Sequence, residues 1–136
     1  MKNILVLLLC LGLNGCATMS ISQATALNRG NLLKLNIGVN RNEVVNIMGN
    51  QSVAARYINS WGIPTDLTIN NPYRSEILQG KDKVFEVIYY VTDDKNNDGA
   101  ISDDELTPLV FDNGKLIGWG WSFLQENIQK YEIRWR

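Results

Sequence analysis

No histidine occurs in the 136 residues, and cysteine occurs only twice. Without imidazole, Ser–His and Cys–His nucleophilic pairs and His-ligated zinc are all excluded. Neither cysteine is expected in the folded body: Cys10 sits within an N-terminal apolar run and Cys16 just after it. The body then has no thiol and no disulfide. Positive charge is also in short supply. A formal net charge of -1 implies no basic surface for nucleic acid. Internal repeats, low-complexity segments and Gly-rich phosphate loops are missing, and no nucleophile stands with a base. The expectation is a protein that is not an enzyme.

What is present begins with Lys2 and the apolar run Ile4 to Leu13. That run is too short to span a bilayer but suits a signal-peptide core. It ends in Leu13-Asn14-Gly15-Cys16, which resembles the lipobox of bacterial lipoproteins. The resemblance implies cleavage before Cys16 and lipidation of its thiol. Ala17, where no Asp stands, implies the outer rather than the inner membrane. Ordinary secretory cleavage near Ala17 is the alternative, and it leaves Cys16 without a role. Several acyl chains, at about 0.8 kcal/mol per buried CH₂, make such an anchor effectively permanent. The organisation expected is a signal peptide over 1–15, a lipidated tether over 16–28 and one domain over 29–136. Residues 17–27, small and mostly uncharged, would reach roughly 35–40 Å if extended.

Within the domain, Leu32, Leu33 and Leu35 suggest one short apolar helix face. Asn40-Arg41-Asn42-Glu43 has the capping-box spacing that opens a second helix. Val44, Ile47 and Met48 form its buried stripe, and Gly49 is placed to end it. From Gln51 to Pro72 the pattern weakens, and a packed connection with at most one short strand is expected. Strands are predicted at 73–79 and from Val84 to Thr92, the latter apolar on both faces and so central in a sheet. Leu109-Val110-Phe111 and Leu116 to Trp121 flank Asp112-Asn113-Gly114-Lys115, a strong hairpin signal with Asp112 facing Lys115. A closing helix follows over about 122–131. The fold class expected is α+β: two short N-terminal helices packed on a three- to four-stranded antiparallel sheet, with a short C-terminal helix.

Two stretches carry a resemblance. "GNLLKLNIGVNRNEVVNIMG" is similar to the entry of the SmpA/OmlA (BamE-like) family of small bacterial outer-membrane lipoproteins. "ELTPLVFDNGKLIGWG" is similar to related periplasmic lipoproteins, where a Thr-Pro-Leu-Val-Phe strand, a hairpin and Gly-Trp-Gly recur. Together they span roughly 29–49 and 83–121. The resemblance implies a non-catalytic protein-binding or scaffolding module on the periplasmic face of the outer membrane, accessory to outer-membrane assembly. Its partners would be the membrane, through the N-terminal lipid, and an envelope protein. Family likeness transfers fold better than role.

The stretch "DDKNNDGAISDDE" raises a second possibility. With Asp94 as the first of twelve positions, Asp94, Asn96 and Asp98 supply side-chain oxygens. Ala100 supplies a carbonyl, Ser102 holds a water, and Glu105 closes as a bidentate ligand. Gly99 takes the sharp turn. The helix that normally enters such a loop is replaced here by a strand. The other reading is a solvated hairpin connection rich in Asp, Asn and Gly for turn reasons alone. Six carboxylates (Asp93, Asp94, Asp98, Asp103, Asp104 and Glu105) offset only by Lys95 favour a cation. Weak structural Ca²⁺ binding, with a Kd on the order of 10⁻⁴–10⁻³ M, is the expectation. The runner-up function is therefore a calcium-responsive envelope-stress or inhibitor-type binding protein.

Tryptophan supplies the candidate partner surface. In Gly118-Trp119-Gly120-Trp121 the strand alternation puts both indoles on one face. They are either a docking patch or core beneath the closing helix, with the glycines allowing close backbone approach. Trp135, between Arg134 and Arg136, is the third candidate contact.

Overall fold

The computed structural model describes residues 19–96 and 98–134. In chain order the elements are β1 (Met19–Ser20), α1 (Ile21–Leu32), α2 (Arg41–Met48), β2 (Val53–Ile58), β3 (Pro64–Ile69), β4 (Arg74–Gln79) and β5 (Val84–Val91). A 3₁₀ turn (Asp103–Glu105), β6 (Leu106–Asp112), β7 (Lys115–Trp119) and α3 (Trp121–Lys130) follow. The class is α+β, with a four-stranded antiparallel sheet β4-β5-β6-β7 and a separate three-stranded sheet β1-β2-β3.

The two apolar faces of β5 explain the layering. Phe85, Val87, Tyr89 and Val91 point to one side, where they meet Leu124 of α3, Ile21 and Ala24 of α1, and Ala55 and Ile69 of the small sheet. Ile88 and Tyr90 point to the other, against Leu35, Val44 and Met48. The expectation of two N-terminal helices on one sheet is corrected accordingly. Val44 and Met48 of α2 cover one face, while Ile21 and Ala24 of α1 join the cluster on the other. Arg41 holds α2 in place through Glu86, at 2.6 Å. Asn40 caps α2 as expected, its side chain accepting the Glu43 N–H at 2.9 Å.

The tether boundary also moves. Met19 and Ser20 already pair with Ala55 and Arg56 in a parallel ladder. Ser20 then caps α1, with Gln23 completing a capping box. Helix α1 therefore occupies most of the segment read as tether. Its buried stripe is Ile21, Ala24, Thr25, Asn28 and Asn31. The spacing is helical, but three of the five side chains are polar, so hydrophobic periodicity does not reveal it. Leu33 falls beyond the helix end and is exposed, so Leu32, Leu33 and Leu35 do not share a helix face.

The connection over 51–72 is corrected to a β2–β3 hairpin. Val53, Ala55 and Tyr57 alternate inward and pair with Ile69, Leu67 and Thr65. The strands at 74–79 and 84–91, the Asn113-Gly114 hairpin and the closing helix form as expected. Asp112 does face Lys115 across that hairpin, but its carboxylate is taken by Lys83 of the preceding turn.

Candidate functional site

The acidic loop joins β5 to β6, the two central strands, and helix α1, packed beside it, fixes where it starts. Asn28 Nδ2 donates to the Val91 carbonyl at 2.7 Å, and Arg29 Nη1 to the Thr92 carbonyl at 2.5 Å. Ser22 Oγ donates to Asp94 Oδ2 at 3.3 Å. Gly99, at φ +77°, takes the turn expected of it, and Tyr57 of β2 packs so closely that a Cβ there would lie 2.4 Å from the ring. Ile101 tucks into the core between these contacts.

Glu105 is the centre of the loop and is only 1% exposed. Its Oε1 accepts the Lys95 N–H at 2.8 Å, and its Oε2 accepts the Ser102 N–H at 2.8 Å and hydroxyl at 3.0 Å. A buried carboxylate is tolerated only when its lone pairs are used, and here the loop's own backbone uses them. The other anions have separate partners. Asp103 accepts from Arg74 at 2.7 Å, Asp104 pairs with Lys95 at 2.9 Å, and Asp98 Oδ1 accepts the Ala100 N–H at 3.0 Å. The Ser102 hydroxyl and the Lys95 ammonium hold the Asp104 carboxyl below its ordinary range.

Of the six residues expected to ligate calcium, Asp94, Asn96, Asp98, Ala100, Ser102 and Glu105 all lie in this loop. Among the described residues, however, no three acidic side chains converge as a metal-holding group. Asp94 and Asp98 are oriented by Ser22 and Ala100, and Glu105 faces backbone donors. Ligation by Glu105 would require it to release Lys95 and Ser102. The residues have the right chemistry in a conformation closed on itself.

The tryptophans separate. Val110 pairs with Gly118 and Phe111 with Leu116, so Ile117 is an extra residue, a β-bulge. The bulge puts Trp119 on the same face as Leu116, against the α2 cluster. Gly120, at φ +93°, then reverses the backbone, a conformation that strains any residue with a Cβ. Trp121 consequently lies on the opposite face, its ring centroid 5.8 Å from that of Tyr89 and its indole N–H donating to the Leu106 carbonyl at 2.8 Å. The shared-face expectation is thereby corrected, and Trp121 serves as core. Cys16 and Trp135 lie outside the described residues.

Trp119 is half-buried and forms one wall of a shallow apolar groove with Leu32, Leu33 and Leu35, bordered by Arg29. Leu33, 89% exposed, stands at its mouth. Sequence reasoning singled out Trp119 but not Leu33, which was assigned to a helix face. The polar stripe of α1 hides where that helix ends, so no local signal in the sequence marks Leu33 as exposed.

No curated protein and no solved structure matches the chain. A family model does match, over residues 7–126, and its description is "Protein of unknown function (DUF3192)". The chain belongs to the DUF3192 family.

Proposed function

We propose that this is a non-catalytic, periplasm-facing lipoprotein that acts as a protein-binding or scaffolding module of the cell envelope. The observation that carries the reading is the groove of Leu32, Leu33, Leu35 and Trp119, with Leu33 exposed at its mouth. Exposing a large apolar side chain forgoes roughly 1.5–3 kcal/mol of burial, and a partner that covers Leu33 recovers it. The lipobox-like Leu13-Asn14-Gly15-Cys16 supports outer-membrane anchoring at Cys16. The likeness of 29–49 and 83–121 to SmpA/OmlA lipoproteins supports a role accessory to outer-membrane assembly. The test is cross-linking and affinity capture of the tagged, lipidated protein from intact cells, comparing wild type with Leu33→Asp. A discrete envelope partner lost in the variant is expected; the same proteins captured by both would refute the groove's role.

A calcium-responsive binding protein is the second reading. It is favoured by the left-handed Gly99 at the sixth loop position and by the placement of the loop between the two central strands. Running the same capture in calcium and in chelator separates the two. A partner held in both belongs to the scaffold, and one held only in calcium makes the 94–105 loop the working part.

A further inference from the structure

The β2–β3 hairpin ends in a tip whose surface is apolar. From Tyr57 to Thr65 no residue is charged, and Ile58, Trp61 and Ile63 are all exposed, Trp61 to 84%. The tip is nevertheless rigidly built. Asn59 Oδ1 accepts the N–H groups of Trp61 and Ile63, both at 3.0 Å. The Asn59 N–H donates to the Ile63 carbonyl at 3.1 Å, and the Gly62 N–H to the Asn59 carbonyl at 2.9 Å. Pro64 has no N–H. With these donors bonded internally, the tip leaves only the Ser60 N–H and hydroxyl to the hydrogen-bonding headgroup layer, which approaches the condition an apolar phase imposes on backbone. The charges that flank this stretch in the sequence, Arg56 and Asp66, pair with each other across the two strands at 2.6 Å. The uncharged part rises roughly 10 Å above that pair at about 3.3 Å per residue. That height matches the depth, about 5–10 Å, to which interfacial segments bury their apolar face.

We infer that this tip inserts into the surface of the lipid bilayer, with Trp61 of the apex at the boundary between headgroups and acyl chains and Ile58 and Ile63 behind it. The inference rests on the proposed anchor at Cys16, because the anchor supplies the apolar phase. Cys16 precedes Met19 by three residues, at most about 10 Å of chain. Met19 pairs with Ala55, one residue before Arg56 on the strand that leads to the tip, so the tip lies roughly 13 Å further along at the usual strand rise. With the hairpin pointing into the bilayer and the Arg56–Asp66 pair at its surface, the lipid on Cys16 can therefore reach that same surface. Tryptophan is the side chain that favours that interface.

The test uses the lipidated protein extracted from bacterial membranes and reconstituted in phosphatidylethanolamine–phosphatidylglycerol vesicles containing lipid brominated high in the acyl chain. Tryptophan emission of the wild type should be quenched. Trp61→Leu should lose most of that quenching, and Ile58→Ser/Ile63→Ser, with Trp61 kept, should lower it. All three positions are solvent-exposed, so the fold is not at stake. Equal quenching in wild type and Trp61→Leu would overturn the inference. So would a Trp61 that stays open to aqueous acrylamide on vesicles, or one shielded only after an envelope extract is added, which would assign the tip to a protein. Failure of the protein to float with the vesicles would overturn the anchor reading and this one together. Flotation without Trp61-dependent quenching would overturn this one alone.

Discussion

The carboxylate of Glu105 accepts the backbone N–H of Lys95 at 2.8 Å, so the last residue of the acidic loop closes on its beginning. The same carboxylate holds Ser102. One buried anion thus does in this conformation what a cation does in a loaded calcium loop: it gathers the strand ends around a point. Glu105→Gln keeps the size but sets an amide donor against backbone donors. A loss of about 1–3 kcal/mol is expected, read as a lower midpoint in urea at unchanged slope.

On the second reading, calcium would have to compete with these bonds, and a weak affinity is expected. With a Kd near 10⁻³ M, 10 mM calcium would add about 1.4 kcal/mol, visible as a rise in Tm that magnesium does not reproduce and Glu105→Gln abolishes. A melting curve unchanged by calcium would remove the second functional reading.

Gly118 and Phe123 define how α3 seats on β7. A Cβ at position 118 would come within 2.5 Å of the Phe123 ring. Gly118→Ala is expected to cost about 1–3 kcal/mol by overpacking. In the Phe123→Ala background the same change should cost much less, a coupling that a double-mutant denaturation cycle measures.

Alkaline stability follows from two tyrosines. Burial, the largest cause, raises both Tyr89 and Tyr90 from 10.0 to about 12, with Glu76 adding to the rise at Tyr89. Between these values the unfolded phenols have lost their protons while the folded ones keep them, so unfolding releases protons and stability falls as pH rises. The contribution is intact below pH 10 and is lost by about 12. Phenolate absorbance should show two tyrosines that ionise near pH 12 or with unfolding, whichever comes first.

Much of this fold was legible because its signals are local. Asn40 with Glu43, Asn113-Gly114 and the two-faced strand over 84–91 each state their structure in a few residues. What stayed hidden depends on distant partners. The stripe of α1 contains Thr25, Asn28 and Asn31, which read as solvent-facing until Val91 and Asn71 are seen to bond Asn28. The β2–β3 hairpin is half-buried and polar on its outer face, so its alternation is shallow. The separation of Trp119 from Trp121 depends on a bulge at Ile117 and a reversal at Gly120, both invisible to a simple period of two. The acidic loop shows the opposite case. Its residue types were plain from the sequence, but the closed arrangement around Glu105 was not.

Lipidation is the expectation on which envelope placement depends. Cells fed an alkynyl fatty acid should label the wild type and not Cys16→Ser, and the variant should leave the membrane fraction. A wild type that takes up no label would move the protein to the soluble, secreted alternative.

The most direct measurement is photo-cross-linking in living cells from a benzoylphenylalanine placed at Leu33, with Glu126 on the exposed side of α3 as the control position. If the groove beside Trp119 is the docking surface, Leu33 yields a discrete adduct with an envelope protein. Glu126 should not yield it, and Cys16→Ser should weaken it. Adducts from Leu33 that match those from Glu126, or none at all, would contradict the protein-binding role.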